Sequence, residues 1–196
     1  MEEIYTRRSI RKYKQEPVSV DILEQILDAG RVAPSGKNKQ PWRFLVYGGE
    51  GKEQLLAVMQ KGLEREQKKE AMLPASGYGL PDAFHTLKIM KKAPVVIMVV
   101  NPYGKNPFSN ITADERFTEI IDSLSVGASI QNMLLKAQAL GLGTLWVGNT
   151  CFAYAELIEY MEIEGQLMGA VALGYADEKP GARPRKELAE LVAYYL

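Results

Sequence analysis

The chain has 196 residues, 46% of them apolar and 24% charged, enough for one domain with a sizeable core or at most two small ones. Lys plus Arg equals Asp plus Glu at 24 each, which removes the global basic field a nucleic-acid binder needs and leaves room only for a local anion site. The lone cysteine, Cys151, and the lone histidine, His85, exclude an intramolecular disulfide and a cysteine- or histidine-rich metal centre within one chain.

The N-terminus, MEEIYTRRSI, lacks the apolar core of a signal peptide, and the longest apolar run, residues 93–100, is far too short to span a bilayer. A cytoplasmic protein with no membrane partner is the expectation. Residues 5–14, YTRRSIRKYK, concentrate Arg7, Arg8, Arg11, Lys12 and Lys14. If this stretch is extended, its period of two puts Arg7, Ser9 and Arg11 on one face and Arg8 on the other. Two guanidinium forks and a hydroxyl on one side suit a phosphate monoester. A solvated basic arm is the alternative.

Ser19 caps a predicted helix over residues 20–30, with Ile22, Leu23, Ile26 and Leu27 on one face. The stretch APSGKNKQPW (33–42) then brings turn chemistry, amides, a hydroxyl and an indole together before a predicted strand at 44–47. Such a turn can hydrogen-bond a polar heterocycle or serve as an ordinary connection. A helix is predicted over 52–70, and the Gly-, Pro- and aromatic-rich stretch 71–85 reads as a mobile loop or lid. Residues 94–100 are β-branched throughout most of their length, as a strand buried on both faces should be.

A second irregular stretch, 101–110, precedes a long apolar helix from about Thr118 to Ala139, suited to a core or a subunit interface. Residues 143–148 read as a strand, 154–161 as a helix and 167–175 as another buried strand. The tail forms a loop and a last amphipathic segment. With no repeat and no linker, residues 1–196 form one α+β domain. The run GLGTLW (141–146) is not a dinucleotide fingerprint, because a helix precedes it and a strand follows. Gly141 and Gly143 are better explained as a helix cap and a tight lead into the strand. Cys151 reads as a small buried hydrophobe rather than a nucleophile, and nothing in sequence pairs with His85. Arg183, Arg185 and Lys186 precede a last predicted helix, whose N-terminus is already positive, so an anion could satisfy both and a solvated turn is the alternative.

Four stretches taken together resemble the nitroreductase family of flavin mononucleotide (FMN) proteins. They are RRSIR (7–11), APSGKNKQPW (33–42), ALGLGTLWVG (139–148) and GYADEKPGARPRKEL (174–188), in family order and at family spacing. The resemblance implies an α+β fold with a central mixed sheet, paired as an intertwined homodimer with two interfacial flavin sites. It implies that Arg7, Arg8, Ser9 and Arg11 grip the flavin phosphate and ribityl chain, with Arg185 closing on the phosphate. Pro34, Ser35 and Asn38 would approach from the partner subunit, and Trp146, Val147 and Gly148 would lie along the isoalloxazine. Arg183 matches no family position.

The implied activity is ping-pong reduction of nitroaromatics, quinones or related small acceptors by NADH or NADPH. The flavin carries the chemistry, so no acid, base, nucleophile or metal is expected of the chain. The same motifs resemble a reductively dehalogenating branch, whose lid supplies a Glu, a Tyr and a Lys; Glu64, Tyr78 and Lys88 are this chain's candidates. A flavin-destroying branch shares the motifs, with nothing further pointing to it. A non-enzymatic flavin-binding protein is the remaining alternative.

Overall fold

A computed structural model describes residues 2–68 and 70–196. Along the chain come α1 (Glu3–Thr6), α2 (Val20–Arg31), β1 (Arg43–Gly48), α3 (Gly49–Glu66), α4 (Leu80–Lys92), β2 (Val95–Asn101), α5 (Ala113–Ala139), β3 (Leu142–Val147), α6 (Tyr154–Met161) and β4 (Gln166–Tyr175). The strands form one sheet in the order β1-β2-β4-β3, and every neighbouring pair is antiparallel. The mixed sheet implied by the resemblance is thus antiparallel within its four strands, and the parallel contact is an isolated bridge from Ser9 to Thr144.

Every residue of β2 is buried, and its alternation divides the core in two. Val96, Met98 and Val100 face one side, packed with Leu55, Leu56, Met59 and Leu63 of α3, Leu87 and Met90 of α4 and Leu157 of α6. Val95, Ile97 and Val99 face the other, against Ile26 of α2 and Val126, Ile130, Met133 and Leu134 of α5. A strand covered by helices on both faces has no polar side to show, which is why 95–100 is continuously apolar.

Local chemistry sets the helix ends. Ser19 accepts from the Ile22 amide at the start of α2, and Thr112 and Glu115 close a reciprocal capping box on α5. That box starts α5 five residues earlier than its apolar pattern alone suggests. Gly141, at φ +78, follows the end of α5 in the left-handed conformation a helix stop requires. Helix α3 ends at Glu66 rather than running to 70, and residue 69 of the expected helix lies outside the described residues.

Two expectations need correction. The stretch 71–85 is not one loop: a 3₁₀ turn spans Pro74–Gly79, and α4 begins at Leu80. Pro81 is tolerated in the first helical turn, and Leu80, Ala83, Leu87 and Met90 bury one stripe. The tail forms only a three-residue 3₁₀ turn, Leu188–Glu190, and Leu188, Leu191, Tyr194 and Tyr195 stay exposed. No described residue covers that apolar side, and so short a segment does not sustain a helix unaided. No described helix is long and apolar enough to cross a membrane.

The segment between α3 and α4 is tied down by charge. Arg65 forks onto Glu156 of α6 and pairs with Glu66, while it also donates to the Phe152 carbonyl at 3.2 Å. The buried Glu66 carboxylate accepts from the amides of Met72 at 2.7 Å and Leu73 at 3.1 Å. Burial would raise the Glu66 pKa, but Arg65 and the two amides outweigh it and hold the group below the usual carboxylate value. The stabilisation is therefore complete above the ordinary Glu range and is lost as pH falls through the lower, folded value. Glu66→Ala leaves the Met72 and Leu73 amides and the Arg65 guanidinium without their carboxylate and should cost about 1–3 kcal/mol in urea unfolding. Limited proteolysis should then cut within residues 67–79 faster than in the parent, and equal cutting rates would show that this anchor is not what holds the segment.

Candidate functional site: two cavities joined at Arg11

The basic N-terminal stretch is extended and pinned at two points. Ile10 donates its amide to the Thr144 carbonyl at 2.9 Å, and its side chain fills the space where a Cβ on Gly143 would sit, 2.6 Å away. Tyr13 is buried, and its hydroxyl donates to the Ile10 carbonyl at 2.8 Å. Burial foremost pushes the Tyr13 pKa above its ordinary value, so the hydroxyl stays a donor. Glu178, just beyond β4, accepts from the Arg11 and Lys12 amides and brings the tail alongside.

Pinned this way, the stretch sorts its side chains by parity. Arg7, Ser9 and Arg11 line a cavity of about 290 Å³ with Pro180, Arg183 and Arg185, while Arg8 borders both this cavity and a larger one lined by Ile10 and Lys14. Arg7, Ser9 and Arg11 share this cavity, but Arg8, expected on the opposite face, lines it as well. The tail arginines reach the cavity from an irregular segment, not from a helix N-terminus as the sequence suggested.

The charge here is uncompensated. Among the described residues no carboxylate forms an ion pair with Arg7, Arg8, Arg11, Arg183 or Arg185. Their hydrogen bonds go to nearby carbonyls: Arg8 to Tyr5 and Arg7 at 2.8 Å, Arg11 to Ser9 at 3.2 Å and Arg185 to Pro184 at 3.3 Å. Burial, then the neighbouring Arg185 and Arg8 charges, lower the Arg7 pKa. A guanidinium that is desolvated and surrounded by its own kind is the environment an oxyanion relieves.

Arg11 also lines a second cavity, of about 220 Å³, with Trp146, Val147 and Gly148 at the end of β3 and Asp82, His85, Thr86 and Ile89 of α4. Trp146 is 45% exposed in an otherwise buried strand. A register shift at Val99/Val100 faces Gly169, whose φ is +142 and where a Cβ would lie 2.7 Å from the Val147 carbonyl oxygen, so only glycine fits there. Asn149 donates to Asp82 at 2.8 Å and to Thr86 at 3.1 Å, closing one wall. The α4 residues sit at positions i, i+3, i+4 and i+7 of one helix face, a periodicity the sequence carries but which the loop assignment of 71–85 concealed.

Pro34, Ser35 and Asn38 line neither cavity. Their turn is strained: Lys37, Asn38 and Gln40 all have φ between 52 and 54, an uncommon conformation for residues with a Cβ. It is fastened to α5 by Lys39 on the buried Asp122 at 2.6 Å, with Asn101 donating to the same carboxylate at 3.2 Å. Gly36 donates to Ser125 at 3.3 Å, and the Ser35 hydroxyl accepts from the Gln40 amide at 2.9 Å. Within one protomer this turn therefore stands apart from the arginines, at the edge of α5's exposed stripe.

Cys151 is exposed, and partial desolvation pushes its thiol above the ordinary value and away from the nucleophilic thiolate. Among the described residues Glu64, Tyr78 and Lys88 share no hydrogen bond. Glu64 accepts from Gln60 on its own helix, and none of the three lines either cavity that Arg11 joins.

The fold and site define an α+β protein with an arginine-lined cavity that shares Arg11 with a second cavity at a strand end flanked by a half-exposed tryptophan. Residues 4–175 match the model of the nitroreductase family, and the chain belongs to that family. A protein of Archaeoglobus fulgidus provisionally named NADH dehydrogenase/NAD(P)H nitroreductase is 32% identical over 147 residues, which is 74% of this chain and 64% of that protein. The match thus spans less than two thirds of that relative's length. Among solved structures, a provisionally assigned nitroreductase of Desulfovibrio desulfuricans in complex with FMN is 29% identical, with TM-score 0.74, covering 100% of this chain and 95% of that one. A BluB-like flavoprotein of Clostridium difficile is 25% identical, with TM-score 0.80, over 100% of this chain and 98% of that one.

Because Ile10 occupies the space above Gly143, Gly143→Ala should displace the arginine segment without altering any charge. The expected cost is about 1–3 kcal/mol in urea unfolding, typical of overpacking. Unchanged stability would mean that Ile10 yields freely and does not position the arginines.

Proposed function

We propose that the chain is an FMN-dependent oxidoreductase that uses NADH or NADPH to reduce nitroaromatics, quinones or related small acceptors. The observation that carries this reading is that Arg11 belongs to both cavities. A flavin mononucleotide has a doubly charged phosphate at one end and a flat, polar-edged ring at the other. The two cavities offer unpaired guanidiniums and then a tryptophan-flanked strand end, in that order. The unpaired, partly desolvated Arg7 is the mark of fit to an anion. The FMN complex of the Desulfovibrio relative and the NAD(P)H nitroreductase name of the Archaeoglobus relative support the same reading.

When bound, FMN supplies the two-electron chemistry, taking hydride from NAD(P)H and passing electrons to the acceptor in alternate, ping-pong turns. Arg7, Arg8, Arg11 and Arg185 neutralise the phosphate, and the Ser9 hydroxyl donates to it or to the ribityl chain. Arg183 lines the same cavity and adds to its field. Trp146 would wall the ring and the backbone at Val147 and Gly148 would meet its polar edge, where positive charge from Arg11 would favour added electron density. Nicotinamide and acceptor would stack on the ring by turns, so no dinucleotide-binding fold is required.

The same reading makes the protein a homodimer with two interfacial sites. Phe117, Ile120, Ile121 and Leu124 are 68%, 48%, 51% and 72% exposed and form one stripe at helical spacing on α5, an apolar face of the kind that marks a subunit interface. The strained turn carrying Pro34, Ser35 and Asn38 borders this stripe through the contact of Gly36 with Ile121. A second subunit docked there would bring those residues to its partner's ring.

Purified protein should show flavin absorbance that NADH or NADPH bleaches without oxygen and that a nitroaromatic or quinone restores. Flavin-loaded protein that neither nicotinamide bleaches would contradict the oxidoreductase reading and favour a flavin-binding protein. Leu124→Glu should turn a dimer into a monomer in light scattering and lower FMN occupancy with it. A parent protein that is already monomeric when loaded with FMN would remove the shared site.

A further inference from the structure

The cavity of about 750 Å³ on the other side of Arg8 has no part in the flavin site, yet it shares Arg8 and Pro180 with the arginine cavity. Its wall carries bonding capacity that the protomer does not use. The Asp177 carboxylate and the Gln138 side-chain amide have no hydrogen-bond or ion-pair partner among the described residues. Glu178 lines the cavity too, but its carboxylate is taken by the Arg11 and Lys12 amides. Arg8 donates from Nη1 to the Tyr5 and Arg7 carbonyls, both at 2.8 Å, and its Nε and Nη2 make no bond to a described residue. Tyr175 is half-buried and rests on the core beneath α2 and α5. Beside it, Gly141 leaves the wall open, since a Cβ there would meet nothing within 4 Å.

We infer that this cavity is a site for an adenylate group. A free carboxylate accepts from the two hydroxyls of a ribose. A primary amide both gives to and takes from the edge of adenine, an aromatic ring stacks on a purine, and a guanidinium takes the phosphate. Asp177, Gln138, Tyr175 and Arg8 supply these four in one cavity of ordinary ligand size. The run GLGTLW then serves a nucleotide without being a dinucleotide fingerprint, because Gly141, Leu142 and Gly143 form part of the wall. The adenylate has two possible sources. One is FAD: the ring cavity shares Arg11 with the arginine cavity, which shares Arg8 with this one, the order in which FAD joins ring, phosphate and adenylate. The other is a separate adenine nucleotide held beside FMN. The FAD form rests on the FMN reading of the other two cavities; the adenylate site itself rests on this cavity alone.

Two titrations of the full-length protein separate the sources. In the first, deflavinated protein is titrated with FMN and with FAD. In the second, FMN-loaded protein is titrated with AMP, 2′-deoxy-AMP and ribose 5-phosphate. If the adenylate belongs to FAD, FAD should bind at least about tenfold more tightly than FMN, the scale of one hydrogen bond to a charged group. Asp177→Ala should remove that advantage and leave FMN affinity unchanged. If the nucleotide is separate, the two flavins should bind alike, and AMP should bind about tenfold more tightly than either 2′-deoxy-AMP or ribose 5-phosphate. Asp177→Ala should then bind AMP and 2′-deoxy-AMP equally, and Gln138→Ala should erase the preference for AMP over ribose 5-phosphate. FAD binding no tighter than FMN, together with AMP binding no tighter than ribose 5-phosphate, would overturn the adenylate site while leaving the FMN reading in place. Preferences retained in full by both variants would overturn it as well. If the deflavinated protein binds neither flavin, the FMN reading falls, and AMP against 2′-deoxy-AMP on that flavin-free protein decides the adenylate site by itself. Should Asp177→Ala not fold, the preferences of the parent decide.

Discussion

The site depends on one constraint: a row of like charges is held in place by apolar anchors rather than by counter-charges. Burying Ile10 contributes roughly 2 kcal/mol and Tyr13 a comparable amount, with the Thr144 and Tyr175 carbonyls adding backbone bonds at 2.9 Å. Two guanidiniums about 4 Å apart repel by about 1 kcal/mol in water and about 4 kcal/mol near a protein surface, a cost the anchors can match. No ion pair to these guanidiniums is found among the described residues. The glycine at 143 makes this possible, because any side chain there would occupy the space of Ile10. Positive charge assembled at the expense of no ion pair remains available to an incoming anion, which a surface salt-bridge network would not leave free.

Much of this was legible in the sequence because it follows from short-range rules. The period of two in residues 7–11 placed Arg7, Ser9 and Arg11 together, and the continuous apolar run at 95–100 announced a strand covered on both faces. The Ser19 cap and the glycine after α5 set helix ends through local bonding. What stayed hidden required knowledge of packing. Pro81 and the glycines before it made 71–85 look irregular, yet Leu80, Ala83, Leu87 and Met90 bury a stripe that overrides those signals. With α4 unrecognised, Asp82 and His85 could not be placed on one face beside Trp146. The tail erred in the opposite direction: its apolar residues suggested an amphipathic helix, but the protomer offers them no surface to cover. The antiparallel pairing of all four strands likewise follows from the chain's crossovers and not from any strand's own sequence.

The second part of the candidate site is divided from the first. The 33–42 turn is left-handed at Lys37, Asn38 and Gln40, and it is bolted to α5 through Lys39 and Asp122. That strain persists because α5 fixes both ends of the turn. The helix carrying these anchors also exposes the apolar stripe of Phe117, Ile120, Ile121 and Leu124. Dimer formation and completion of the ring site are, on this reading, one event: the interface helix that docks the partner also delivers the partner's turn. The arginine cavity, by contrast, is lined within one protomer, so on the proposed reading phosphate and ring recognition would draw on different levels of structure.

The most direct test of the central claim is the ratio of dissociation constants for riboflavin and FMN, which differ only in the phosphate. With several unpaired guanidiniums facing that phosphate, FMN should bind at least about a hundredfold more tightly than riboflavin. Arg7→Ala with Arg185→Ala, at residues that line the arginine cavity and not the ring cavity, should collapse most of the difference while leaving riboflavin affinity within a fewfold of the parent. Equal affinity for the two flavins in the parent, or an unchanged ratio in the double variant, would contradict the assignment of residues 7–11 as the phosphate cradle.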